Sequence, residues 1–172
     1  MKIGALIVLL ACCAPPAFGQ TLQSRIATRA DIFGAWELVP VPDSLQPQIL
    51  EENPWPAPCQ YYRYFPDGRL ATLMKSPKPC EKLTSAGMDA AFASRATPLR
   101  FEYAASRDDA SKGLLFVTRT EVPTYREIWE PTLFLTDAQI NGIQYRKGDL
   151  VLALIDLKTK RPVWFRQLRR LE

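Results

Sequence analysis

The chain has 172 residues, which suits one domain rather than two, and 47% of them are hydrophobic, enough to bury a sizeable core. The 22 basic and 18 acidic residues give a net charge of +4, and because these charges are dispersed they do not predict a nucleic-acid-binding surface. Histidine is absent, which excludes a Ser-His-Asp or Cys-His catalytic group and removes the commonest metal ligand.

The other chemistry-bearing residues do not predict a catalytic site either. The sequence contains no glycine-rich phosphate loop. Adjacent carboxylates occur only as Glu51-Glu52 and Asp108-Asp109, both in predicted loops, where acidic side chains more often face solvent than catalyse a reaction. We therefore predict a protein that is not an enzyme and that needs neither a cofactor nor a metal ion.

Residues 1–19 have the features of a secretory signal peptide. Lys2 gives a short positively charged start, and the apolar run over residues 3–13 is shorter than the roughly 20 residues that a membrane-spanning helix needs. Ala17 and Gly19 place small residues at the two positions that a signal peptidase reads. We therefore predict an exported protein, periplasmic or secreted, with no transmembrane span in the mature chain.

A lipid anchor is the alternative form of export. Leu9-Leu10-Ala11-Cys12 is an imperfect lipoprotein box, because a smaller or polar residue is more usual before the alanine, and lipidation of Cys12 is therefore less favoured. After the signal peptide, residues 20–30 are predicted to form a polar N-terminal arm and residues 31–172 the folded domain.

The mature sequence predicts short strands joined by turns. The predicted strands cover residues 34–41, 60–65, 70–74, 99–104, 114–120, 125–129, 148–155 and 163–168. A short apolar piece at residues 133–135 and the turn dipeptide Asn141-Gly142 lie between the last strands.

A long proline-rich connection is predicted after the first strand, with one helical turn over residues 44–51. Trp55 lies among three prolines of this connection. We interpret Trp55 as a plug over one end of the core, since a large aromatic side chain gains by burial, and the alternative is an exposed recognition residue.

The sharpest local signal is the turn Phe65-Pro66-Asp67-Gly68-Arg69. Pro66 presets φ for a turn, Asp67 can hydrogen-bond to the nearby backbone, and Gly68 can adopt the left-handed conformation. The turn predicts a hairpin between the second and third predicted strands.

One helix is predicted over residues 85–94. This segment is rich in alanine and free of proline, and Met88 and Phe92 have helical spacing. Thr84 or Ser85 is the expected N-cap. About eight strands with one helix do not alternate as a parallel sheet requires, so we predict an antiparallel sandwich or a closed barrel, in which closure removes exposed edges.

Two cysteines, Cys59 and Cys80, remain after removal of the signal peptide. In an exported protein an even pair predicts a disulfide, here around the predicted hairpin. A redox-active pair would prefer a Cys-x-x-Cys spacing, which is absent, and two thiols without a histidine make a poor zinc site.

Three motifs together resemble bacterial lipocalin-like domains. Phe33-Gly34-Ala35-Trp36 is similar to the Gly-x-Trp motif of the first strand in that family. Tyr64-Phe65-Pro66-Asp67-Gly68-Arg69-Leu70 resembles a common hairpin turn, and the runs Gly148-Asp149-Leu150-Val151-Leu152 and Trp164-Phe165-Arg166-Gln167-Leu168-Arg169-Arg170 resemble the closing hairpin with its terminal basic residue.

The resemblance implies a mainly β fold, an eight-stranded antiparallel barrel with a cup-like interior. It also implies structural roles for Gly34 and for Trp36, which would close the barrel floor beneath an arginine of the last strand. In a closed barrel the first and last strands are neighbours, so a cation–π contact is expected between Trp36 and either Arg169 or Arg170. Because the predicted helix is not where lipocalins have theirs, a smaller β-roll or another exported barrel is an alternative.

The residues that could line a ligand cavity come from the alternation of the predicted strands. Tyr62 and Tyr64 share one face of the first strand of the hairpin, and Leu70, Thr72 and Met74 share a face of the return strand. The candidate ligand-binding residues are Tyr62, Tyr64, Leu70, Thr72, Met74 and Trp129. The sequence leaves open whether these side chains surround a ligand or fill a solid core, because an eight-stranded barrel can do either.

Two functional hypotheses follow. The first is an exported carrier or sensor that binds a small apolar ligand in the barrel, and it predicts a cavity of at least about 300 Å³. The second is an interaction module of the cell envelope, an inhibitor or assembly partner with a filled interior and an exposed aromatic or basic patch.

Overall fold

The computed structural model describes residues 23–46, 55–76, 79–93, 98–106 and 112–172. Four predictions fall at least partly outside these ranges: the signal peptide, the less favoured lipidation of Cys12, most of the helical turn over residues 44–51, and the last residue of the helix, Ser94.

Strands make up most of the regular structure. In chain order the described strands are β1 Ser24–Ile26, β2 Gly34–Val39, β3 Cys59–Tyr64, β4 Arg69–Lys75, β5 Leu99–Ala105, β6 Gly113–Arg119, β7 Val122–Phe134, β8 Ala138–Ile140, β9 Ile143–Tyr145, β10 Leu150–Ile155 and β11 Pro162–Arg170. The described helices are α1 Arg29–Ile32 and α2 Ser85–Phe92, with a 3₁₀ turn at Asp43–Leu45.

Eight of the strands close into an antiparallel barrel, which confirms the predicted fold class. The order around the barrel is β2, β3, β4, β5, β6, β7, β10 and β11, and β11 pairs with β2 to complete the circle. β1 pairs with the end of β7 that β6 does not reach, and β8 and β9 form a separate hairpin.

The first and last barrel strands meet at the closed end of the barrel. Trp36 of β2 lies opposite Arg170 of β11, and its side chain is fully buried. The guanidinium carbon of Arg170 lies 4.2 Å from the Trp36 ring centroid. Arg170 also donates hydrogen bonds of 2.7 Å to the backbone oxygens of Phe33 and Asp31. The expected cation–π contact is therefore present, and Arg170 makes it.

Arg169 has a different structural role. Its Nε and Nη2 atoms donate to the carboxylate of Asp149 at 3.0 and 2.8 Å. Asp149 is 1% exposed and also accepts a 2.7 Å hydrogen bond from Gln167. Arg169 thus holds the start of β10 against β11, and it takes no part in the contact with Trp36.

The β3–β4 hairpin has the predicted turn. Gly68 has a φ of +82°, in the left-handed region. The Phe65 N–H donates to the Arg69 oxygen at 2.9 Å, and Asp67 Oδ1 accepts from the Arg69 N–H at 3.0 Å. The Cys59–Cys80 disulfide is also present and links the start of β3 to the segment before α2.

Helix α2 covers the outer surface of the barrel. Thr84 is its N-cap and accepts a 3.1 Å hydrogen bond from the Gly87 N–H. Met88 and Phe92 are buried against the outward-facing side chains of β2, β3 and β4. No helix within the described ranges is both long and apolar enough to cross a membrane.

The described part of the predicted polar arm has regular structure. Residues 24–26 form β1, and α1 follows with Thr28 as N-cap. Arg25 donates to the two carboxylate oxygens of Asp31 at 2.6 and 2.9 Å, and Ile32 is fully buried in the core. These contacts place the N-terminal segment across the closed end of the barrel.

Strand β7 is longer than the sequence predicted. The strand predicted at residues 125–129 continues through Pro131 to Phe134, so it includes the first two residues of the apolar piece at 133–135. The Pro131 oxygen accepts from the Ala27 N–H at 3.0 Å, so its backbone groups face the junction between β6 and β1. Proline has no N–H to donate to a neighbouring strand. None is needed at this position, because β6 pairs with β7 only up to Trp129 and β1 pairs with it only from Thr132.

Candidate ligand-binding site

A cavity of about 200 Å³ lies inside the barrel, above the packed closed end. Its lining is largely aromatic and aliphatic, with three charged side chains. All six residues predicted to bind a ligand line it, namely Tyr62, Tyr64, Leu70, Thr72, Met74 and Trp129. The structure thus brings them together, and their role in binding stays a prediction.

The alternation of β3 explains why these side chains share the interior. Tyr62 and Tyr64 face the cavity, whereas Tyr61 faces outward into the apolar cluster beneath α2. Burial raises the pKa of the Tyr62 and Tyr64 phenols, so both stay protonated at neutral pH. The Tyr62 hydroxyl donates to Gln60 Oε1.

Trp55 lies at the mouth of the cavity, in the position that a plug requires. Its ring centroid is 5.5 Å from that of Trp129 in a tilted arrangement, and the side chain packs against the main core. Gln60 Nε2 donates 2.8 Å hydrogen bonds to the backbone oxygens of Trp55 and Ala57. Strand β3 therefore holds residues 55–57, in the described end of the proline-rich connection, beside the cavity.

Arg166 of β11 is the main charged group of the cavity. Its guanidinium carbon lies 3.7 Å from the Trp55 ring centroid, 4.5 Å from that of Trp129 and 5.2 Å from that of Tyr62. The residue is only 6% exposed. Its Nη2 atom is buried and has no hydrogen-bond partner within the described part of the chain.

The three rings only partly offset the cost of burying this charge. A cation–π contact contributes about 0.5–2 kcal/mol, whereas a buried ion keeps an effective penalty of several kcal/mol unless it is paired. Arg166 forms no ion pair with a carboxylate of the described residues. The protein thus retains an incompletely satisfied cation inside its barrel.

Glu127 of β7 lines the same cavity but is already hydrogen-bonded. Its Oε1 atom accepts from the Tyr125 hydroxyl, and its Oε2 atom accepts from Trp129 Nε1 at 2.8 Å. Burial and the hydrogen bond to Glu127 raise the pKa of Tyr125, which keeps this phenol a donor. Arg119, at 5.4 Å from the Tyr125 ring centroid, adds a second positive charge to the lining.

The cavity is smaller than the hypothesis of an apolar carrier required. About 200 Å³ falls short of the roughly 300 Å³ expected for a typical ligand pocket. The cavity is narrowed by three large aromatic side chains of its lining, Trp55, Tyr62 and Trp129. An engineered protein cavity of about 150 Å³ binds benzene, so the size suits a ligand with one ring or a short chain.

Sequence analysis missed the polar members of the site, Arg119, Tyr125, Glu127 and Arg166. A signal for Arg166 was present, since it alternates with Leu168 and Arg170 along β11 and must face the same side. Tyr125 and Glu127 alternate in the same way with Trp129. Only Arg166 of these four residues is buried, and charged side chains are so rarely buried that the alternation alone did not predict its position.

Among the described residues, no group of three or more cysteine, aspartate or glutamate side chains is placed to hold a metal ion. No protein-family model, curated protein or solved structure matches the chain. The closed eight-stranded barrel is compatible with a lipocalin-like fold.

Proposed function

We propose that the protein is an exported lipocalin-like carrier or sensor that binds a small ligand inside its barrel and catalyses no reaction. The observation that carries the proposal is the aromatic cavity of about 200 Å³ beneath Trp55. A solid core would need no such space, because protein interiors are normally close-packed. The ligand's apolar part would lie against Tyr62, Tyr64 and Trp129.

Export is part of the proposal. It is supported by the signal-peptide features of residues 1–19 and is compatible with the Cys59–Cys80 disulfide, which persists in oxidising compartments. Membership of the lipocalin-like group is supported by the Gly-x-Trp motif at Gly34 and Trp36 and by the arginine that covers the tryptophan.

The test is a binding assay on the purified chain from residue 20 onward. Small neutral and charged monocyclic compounds are titrated while tryptophan fluorescence is recorded, since Trp55 and Trp129 line the cavity. We expect saturable binding by at least one compound. Thr72→Trp, which fills the cavity, should weaken that binding at least about tenfold, because the new ring takes the ligand's space.

The matched control is Thr118→Trp, which places the same side chain on the outer face of β6. It should bind as the wild-type chain does. The proposal is wrong if no compound binds, or if Thr72→Trp binds as tightly as the control.

A second candidate is the envelope interaction module. The observation that favours it is a wide depression of about 700 Å³ on the outer face of β5, β6 and β7. Its lining includes Leu114 and Phe116 together with Arg100, Arg126 and Glu102, so the patch is partly apolar and has an excess of positive charge. Absence of any small-molecule binding in the assay above would favour this candidate over a carrier.

A further inference from the structure

We infer that Arg166 is an anchor for a carboxylate, and that the ligand of the cavity is a small organic acid of about the size of benzoate. This inference rests on the proposed function, since it specifies the chemical class of the ligand bound in the same cavity. It depends on Arg166, a buried charged side chain that does not contribute to an apolar core as a hydrophobic residue would.

The first argument is the unmet hydrogen-bonding capacity of Arg166. The guanidinium is surrounded by Trp55, Trp129 and Tyr62, and its Nη2 atom is buried without a partner among the described residues. Aromatic rings attract the positive charge but do not replace the acceptor that each buried N–H needs. An acceptor supplied by a ligand would complete the site.

The second argument is the sign of the charge. Arg119 and Arg166 are the two cations of the lining, and Glu127 is its one described carboxylate. Glu127 does not come within 4.0 Å of the Arg166 nitrogens, and it already accepts hydrogen bonds from Tyr125 and Trp129. Among the described residues, the lining therefore has a net positive charge, which favours an anion.

The third argument is the shape of the acceptor. A guanidinium is planar and presents parallel N–H groups that match the two oxygens of a carboxylate. The volume of about 200 Å³ then leaves room beside the carboxylate for one ring or a short chain. The surrounding tryptophan and tyrosine rings supply an apolar surface for that part of the ligand.

The experiment compares acids with neutral amides of the same shape. Benzoate and hexanoate are titrated into the purified chain beside benzamide and hexanamide, with tryptophan fluorescence and thermal stability as readouts. We expect each acid that binds to do so at least about tenfold more tightly than its amide, because the two oxygens of a carboxylate pair a negative charge with Arg166, whereas the single amide oxygen is neutral.

Arg166→Gln should abolish the preference for the acid, because it weakens binding of the acid far more than binding of the amide. The matched control, Arg126→Gln, removes the same charge from the outer surface beside Phe116 and should keep the preference. If Arg166→Gln does not fold, Arg166→Lys keeps the charge without the two parallel donors, and we expect it to lose most of the preference.

The outcomes separate the two proposals. Equal binding of acids and amides by the wild-type chain, or an unchanged preference in the Arg166 variants, would overturn the carboxylate anchor and leave a neutral-ligand carrier in place. Failure of every acid and amide to bind, together with failure of neutral aromatic compounds, would overturn both.

Discussion

Three residues, Gly34, Trp36 and Arg170, form a single unit at the closed end of the barrel. The guanidinium of Arg170 reaches two backbone oxygens only by passing over the backbone of Gly34. A Cβ atom at position 34 would lie 2.4 Å from Arg170 Nη1, and the φ of +126° disfavours any other residue. The glycine of the motif is thus required by the arginine at the other end of the chain.

Gly34→Ala should therefore lower the free energy of unfolding by about 2–4 kcal/mol, since it combines backbone strain with loss of the Arg170 contacts. Urea unfolding measures the change. Gly142→Ala is the matched control, because Gly142 has a φ of +82° but nothing within 4 Å of the added Cβ. The control should lose only about 1–2 kcal/mol, from strain alone, and equal losses in both variants would contradict the steric explanation.

Asp31 gives a pH dependence to the N-terminal segment. Hydrogen bonds from Arg25, and further ones from Thr28, hold the pKa of this carboxyl well below its usual range. A carboxyl whose pKa is depressed on folding stabilises the protein above its unfolded-state pKa of about 4 and loses that contribution as the pH falls below it.

Asp31→Asn should consequently destabilise the protein by about 1 kcal/mol at pH 6–7 and by progressively less below about pH 4. Chemical unfolding of the wild-type protein and of the Asp31→Asn variant between pH 3 and pH 7 measures the difference in their free energies of unfolding. Asp43→Asn, at an exposed position without an ion pair among the described residues, should show no such trend. If the loss of unfolding free energy in Asp31→Asn is the same at every pH, the charge of Asp31 is not the cause of that loss.

At the scale of elements, the β3–β4 hairpin was the most predictable part of the structure. Its turn residues act within five positions of one another, so local chemistry alone determines the geometry. Strand β7 was predicted in two pieces because a proline usually interrupts a strand. Pro131 is accommodated because β6 ends before it and β1, which is distant in sequence, begins after it. The cysteine pair was predictable because only one pairing was open to it.

Removal of the Cys59–Cys80 disulfide should lower the free energy of unfolding by about 3 kcal/mol in the chain-entropy model, for a sequence separation of 21 residues. The double variant Cys59→Ala/Cys80→Ala, compared with wild type in urea, measures this change. A reductant should bring the wild-type chain to the stability of the variant and leave the variant itself unaffected. An effect of the reductant on both chains would indicate another cause.

At the scale of the whole molecule, alternation and turn signals predicted the eight barrel strands but not β1, β8 or β9, and the Gly-x-Trp motif predicted how the barrel closes. The apolar and aromatic residues of the candidate cavity were predicted to share the interior, while the sequence left open whether they surround a cavity or fill a solid core. The cavity's polar part was not predicted, because Arg166 and Glu127 share a cavity only through the way in which six different strands and Trp55 enclose it. Periodicity identifies the face of a strand, but not how the opposite strands fill the space.

The pairing of β2 with β11 has a consequence for how the chain reaches this state. The hydrogen bond from Arg170 to Phe33 joins positions 137 apart in the sequence. Such non-local pairing raises the contact order and makes folding slow, because loop-closure entropy is lost before the contacts form. Until the last strand docks, Trp36 and the aromatic interior lack their cover, so the nascent barrel is most prone to aggregation just before its final segment arrives.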